Sequence, residues 1–100
     1  QPTALICGND VLATGALYAA TASGLKVPTD VSIVGIGDFK GSSEIEPALT
    51  TVRLPAKRIG QQAGEALANA IITTEGHTKD SIHCEPELII RRSSMPMRNT

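Results

Sequence analysis

The sequence has no tryptophan, one tyrosine (Tyr18) and one phenylalanine (Phe39) in 100 residues. Sandwiches and barrels draw on large rings to fill their interiors. A chain this poor in them suits small aliphatic helices packed on a parallel sheet. Two cysteines, Cys7 and Cys84, are too few for a disulfide framework, and a reducing compartment fits them. Cys7 lies in an apolar run and reads as a small buried hydrophobe. No run of apolar residues is long enough for a transmembrane helix. No basic segment precedes an apolar one near Gln1, so no signal peptide is visible. The missing initiator Met and the immediate entry into a strand give the start the look of a cut. Lys and Arg form no cluster longer than Arg91-Arg92, and the net charge is −1. Non-specific grip on nucleic acid needs a basic face that displaces counterions from phosphates, and this stretch offers none.

What is present alternates between strand and helix signals. Residues 3–8 (TALICG) form a short apolar run, expected as a strand covered on both faces. Asn9-Asp10 supplies a helix start, and Val11 to Ser23 carries Leu and Ala at helical spacing. Gly24 supplies a left-handed stop, over which Leu25 can pack. Pro28-Thr29-Asp30 is a turn, and Val31 to Ile36 reads as a second buried strand. Strand, helix, strand with a short return is a βαβ unit, so the two strands should be parallel with a right-handed crossover. Gly37 to Pro47 reads as a loop or an irregular short helix, and Thr50 to Leu54 as a third strand. Pro55 fits the first position of a second helix. Its apolar face runs through Ile59, Ala63, Ala66, Leu67, Ala70 and Ile71, and Gly76 closes it. His77 to Pro86 is a polar connector, Glu87 to Arg92 a last strand, and the tail from Ser93 is expected to fray. About four strands and two helices are few for a complete doubly wound sheet, so the pattern describes an incomplete one.

In open parallel sheets, ligands bind beyond the carboxyl ends of the strands. Two polar clusters fall there, Asn9-Asp10 and Gly37-Asp38. Asn offers donors and acceptors and Asp offers acceptors, which suits sugar hydroxyls or the edge of a heterocycle. Each also has a plain structural role open to it, a helix cap for Asn9 or Asp10 and a turn for Asp38. Gly35 and Gly37 match the first two glycines of a dinucleotide fingerprint, but Lys40 stands where the third is needed. No cofactor is expected. His77, His83 and Cys84 share one connector, yet adjacent His83 and Cys84 match no usual zinc spacing, and no metal is expected. Ser42-Ser43 lacks the strand-turn-helix context of a nucleophile elbow, so nothing recommends an enzyme.

Longer runs carry more information than these patterns. ALICGNDVLATGALYAATASGLKVPTDVSIVGIGDF, then EPALTTVRLPAKRIGQQAGEAL, then ELIIRRSS, resemble the C-terminal part of lactose/galactose-repressor-type (LacI/GalR) regulators. The most specific pieces are CGND, VPTDVSIVG, EPALTTVR and LIIRRSS, and the resemblance extends from Ala4 to about Ser94. It implies a type I periplasmic-binding-protein-like α/β effector domain, behind a helix-turn-helix that reads operator DNA and is absent from this chain. Residues 1–52 would belong to its C-terminal lobe, 53–86 would cross into the N-terminal lobe, and 87–100 would bring a strand and tail back.

The resemblance further implies a cytoplasmic homodimer, with no membrane partner, that responds to a small sugar-like effector. Asn9 matches the position that hydrogen-bonds the effector. The family often has an Asp where this chain has Gly37, with Asp38 one step later, so the usual Asp contact is either lost or taken over by Asp38; Gly37 and Asp38 join Asn9 as the expected effector residues. Val11, Thr14, Gly15 and Tyr18 on the first helix, with Ile45, match the family's dimer interface. The rival reading on the same fold is a periplasmic sugar-binding protein that feeds a transporter.

Overall fold

The computed structural model describes residues 2–72 and 83–97. Their order is β1 (Ala4–Ile6), α1 (Asp10–Ala22), β2 (Ser32–Gly37), β3 (Thr50–Arg53), α2 (Ala56–Ile72) and β4 (Glu87–Ile89). The four strands form one sheet in the order β1-β2-β3-β4. β1 pairs with β2 and β2 with β3 in parallel, while β4 runs antiparallel to β3. The parallel βαβ unit expected from the sequence is therefore present, and the mixed α/β class with a parallel sheet holds.

α1 begins because Asn9, in extended backbone, turns its side chain to accept the Leu12 N–H at 2.9 Å. It ends in a Schellman motif: the Leu25 N–H reaches the Ala20 carbonyl and the Gly24 N–H reaches that of Thr21. Gly24 has φ 84°, the left-handed conformation that motif requires. Between these caps, Asp10, Ala13, Leu17 and Ala20 form the buried stripe. Ala13, Leu17 and Ala20 meet Val31, Ile33 and Leu49 in the core, with Cys7 and Ile45 packed against them. Alanine on the contact face lets the helix approach the sheet closely, which is why the core needs no rings. Tyr18 and Phe39 both lie exposed.

Three expectations need correction. β1 is a buried strand in composition, but Leu5 and Ile6 are exposed, because the described residues leave the faces their side chains enter largely uncovered at this end strand of the sheet. The last strand stops at Ile89 rather than Arg92. The tail does not fray at Ser93, which is fully buried. Its hydroxyl donates to the Ile33 carbonyl at 2.6 Å and accepts the Thr50 N–H at 2.8 Å, while its carbonyl accepts the Ile33 N–H at 2.8 Å. Ser93 therefore joins β2 to β3 just before their ladder begins at Val34 and Thr50. A polar tail reads as loose in sequence because its partners are about forty to sixty residues away.

The contacts divide the chain into two compact units, Gln1–Arg53 with Glu87–Thr100, and Leu54–Pro86. Within the second, α2 starts at Ala56, one residue after the expected Pro55, whose carbonyl accepts the Ile59 N–H. The helix has no buried residue, and Leu67 and Ile71 on its apolar face are exposed. Gly76 and His77 lie outside the described residues.

Leu17 is 1 % exposed and central to the core. Leu17→Ala should cost about 3 kcal/mol through lost transfer and a residual cavity. Leu5→Ala, on the open edge strand, should cost below about 1 kcal/mol. Urea denaturation of the two variants checks the contrast.

Candidate ligand-binding site

The carboxyl ends of β1 and β2 bring the two predicted polar clusters together, but not in equivalent roles. Asp10 faces inward. It is 2 % exposed, and its oxygens accept three hydrogen bonds. Thr51 Oγ1 donates to Oδ1 at 2.6 Å; Ser42 Oγ and the Phe39 N–H donate to Oδ2 at 2.6 and 2.9 Å. A Cβ on Gly35 would collide with Asp10 Oδ1, so glycine is required there for the carboxyl to reach the sheet. Asp10 is thus a structural tie between α1, β3 and the loop after β2, not a group facing a ligand.

Asn9 faces outward and is partly exposed. Its Oδ1 is taken by the cap, and its Nδ2 has no protein partner among the described residues. The capping and ligand readings therefore use different atoms of one side chain and are compatible.

The turn after β2 is tightly specified. Gly37 has φ 126°, and any side chain there would meet the Phe39 ring. Asp38 follows at φ 51°, a left-handed conformation that Asp and Asn tolerate better than most residues. Its N–H donates to Thr51 Oγ1 at 3.2 Å, which links the turn through Thr51 to Asp10. The Asp38 carboxylate is held by two arginines, with Arg53 Nε at 2.8 Å from Oδ2 and Arg91 Nη2 at 2.8 Å from Oδ1. The outward polar group of this turn is therefore the half-exposed Arg53 guanidinium, which also lies 3.5 Å from Glu87.

The hydrogen bond from Arg53 is the largest influence on Asp38 and holds its carboxyl below the ordinary value of 3.8. Partial burial pushes the other way, and Arg91 adds to the lowering through its own hydrogen bond and charge. Arg53 is correspondingly raised, first by its hydrogen bond to Asp38.

Sequence reasoning missed Thr51, Ser42, Arg53 and Arg91. One signal was available: Asp10 continues the stripe Ala13, Leu17, Ala20, and an acid on a buried helix face must have donors nearby. Of the predicted interface residues, Val11, Gly15 and Tyr18 are exposed, while Thr14 and Ile45 are partly buried. Val11, Thr14 and Ile45 line a shallow hollow of about 180 Å³ with Phe39 and Lys40. In the second unit, Cys84 Sγ donates to Gln62 Oε1 at 3.3 Å. Among the described residues, no three His, Cys, Asp or Glu side chains converge as metal ligands, and no helix is long and apolar enough to cross a membrane.

The pattern of the periplasmic binding protein-like domain matches residues 1–94. The chain belongs to that family. It is similar to the HTH-type transcriptional repressor PurR of Proteus mirabilis, 43 % identical over 93 residues, which are 93 % of this chain and 27 % of the repressor. The chain therefore spans about a quarter of the length of the curated relatives it matches. Among solved structures, a putative transcriptional regulator LacI from Bacillus cereus subsp. cytotoxis superposes with a TM-score of 0.91 at 30 % identity, covering 97 % of this chain and 34 % of that one. A LacI family transcriptional regulator from Arthrobacter sp. FB24, solved in complex with lactose, superposes at 0.77 with 26 % identity, covering 93 % and 35 %. Within the periplasmic-binding-protein-like family, the chain is thus of the LacI/GalR effector-domain kind.

Asp10→Ala leaves three donors without their acceptor and should cost about 3–5 kcal/mol. Gly35→Ala should also destabilise, since its Cβ meets the same carboxyl. Thermal melts of both test this. Asp38 gives a separate expectation. Its folded pKa is depressed, so its contribution is complete above the ordinary carboxyl value and is lost as pH falls through the lowered one. The difference in Tm between the native chain and Asp38→Asn should be flat near neutrality and shrink in acid. A difference that grew on acidification would contradict the assignment.

Proposed function

We propose that this chain is the ligand-sensing part of a bacterial DNA-binding transcription regulator, a cytoplasmic repressor that responds to a small sugar-like effector. The observation that carries the reading is the family match together with a strand-end site whose outward groups are polar and whose inward ones are saturated. Asn9 offers its free amide N–H groups to effector oxygens. The Gly37-Asp38 turn forms the neighbouring wall, where Asp38 holds the Arg53 guanidinium as the outward-facing group. Operator DNA is gripped by a helix-turn-helix outside this chain, consistent with the absence of a basic cluster here. Two copies associate through the face formed by Val11, Thr14, Gly15, Tyr18 and Ile45, where Val11 and Tyr18 leave apolar surface exposed.

In the lobes assigned to the parent protein, residues 1–52 and 87–100 serve the C-terminal lobe and 53–86 cross to the N-terminal one. An effector alters DNA affinity only by binding one arrangement of the lobes better than the other. The transporter-receptor reading shares the fold, but the relatives named above are regulators, which favours sensing over transport.

The deciding experiment uses the full-length protein encoded around this sequence. It should bind a fragment of its own promoter region in a mobility-shift assay. A panel of mono- and disaccharides, lactose included, should contain a sugar that shifts that binding. Asn9→Ala should raise the sugar concentration required about tenfold, the equivalent of one lost hydrogen bond. A secretory leader upstream and no DNA binding would overturn the regulator reading in favour of a transport receptor.

A further inference from the structure

The two passages between the compact units leave the sheet at one place. The units divide after Arg53 and before Glu87, and the antiparallel register of β3 and β4 sets Arg53 directly opposite Glu87. On that rung, Arg53 reaches Glu87 at 3.5 Å and Asp38 at 2.8 Å. The second Asp38 oxygen takes Arg91 at 2.8 Å, and Arg91 Nη1 donates to the Leu49 carbonyl at 3.0 Å. The Arg53–Glu87 half of this network is well exposed, so its value to global stability is small. Asp38 and Arg91 are not exposed to that degree: their side chains are 11 % and 15 % accessible. The network therefore has a fixed inner end, anchored at Leu49 just before β3, and an outer end on the strand residues where the chain passes between units.

We infer that Asp38 is a positioning residue that acts through Arg53. It ties the ends of β3 and β4 to the turn closing β2, so that both crossings respond together to whatever displaces that turn. Arg53 suits the task because its planar fork can hold Asp38 through Nε and Glu87 through Nη1 at once, which a lysine ammonium cannot do with the same geometry. The inference deepens the sensing reading and rests on it for its purpose, since the same turn forms one wall of the proposed effector site. Its test needs no ligand.

The test is amide hydrogen exchange by NMR on the whole chain. Asp38→Asn is the cleanest variant, because Asn keeps the left-handed backbone while it removes the charge and leaves one acceptor oxygen where two guanidiniums need two. It should speed exchange about tenfold at the cross-strand hydrogen-bonded amides at the Arg53 end of β3 and equally at those at the Glu87 end of β4, with Ile33 and Thr50 unchanged. Arg53→Lys, which preserves charge and removes the fork, should reproduce the effect at both crossings. Glu87→Gln should affect the β4 end alone. Unchanged rates overturn the inference, as does acceleration at one crossing only. Uniform acceleration that includes Ile33 would make Asp38 a general stabiliser, which also overturns it. None of these outcomes bears on whether the full-length protein binds DNA or a sugar, so failure here is separable from failure of the sensing reading.

Discussion

The carboxyl of Asp10 is the constraint on which the strand-end region depends. A carboxyl removed from water is costly unless its oxygens are met by donors, and here the loop after β2 supplies two and β3 a third. Much else follows. Position 35 must lack a Cβ, Thr51 must carry a hydroxyl on a fully buried strand residue, and Ser42 must fold inward rather than face solvent. The loop after β2 is held close to α1 by the same bonds, so the first turn of the helix and the turn at Gly37-Asp38 are parts of one hydrogen-bonded unit.

That unit separates support from contact. Asp10, Thr51 and Ser42 face inward and are satisfied, whereas Asn9 and Arg53 lie at its outer edge. Thr51 links the two layers, accepting from the Asp38 N–H while donating to Asp10. Asp38 is likewise intermediate: its carboxylate is enclosed by two guanidiniums, and its influence outward passes through them. A ligand at the proposed site would meet groups whose own positions are already determined by buried bonds, which would limit the reorganisation that binding requires.

The fold was legible where the physical cause is local. The cap at Asn9, the Schellman stop at Gly24 and the strand-helix-strand alternation all depend on residues within a few positions of one another. Asn9 and Gly37-Asp38 could be placed near each other because a parallel βαβ unit leaves no other arrangement. The partners of Asp10 and Asp38 were not legible, because they lie thirteen to fifty-three positions away, on segments whose own sequence signal is simply that of a strand or a loop. Ser93 was misread for the same reason, since a serine that bridges two strands looks no different in sequence from one in a loose tail.

The amino-acid sequence by itself determined the α/β class, the parallel βαβ unit, the ring-free core and the family to which the chain belongs. Each of these rests on composition, period or an ordered run of residues, all of which are properties of the chain. Only the tertiary structure decided which acid faces inward and which is shared between arginines, and that both crossings depart from one rung of the sheet. Side-chain charge states the capacity for an ion pair, but register and close approach select the partner.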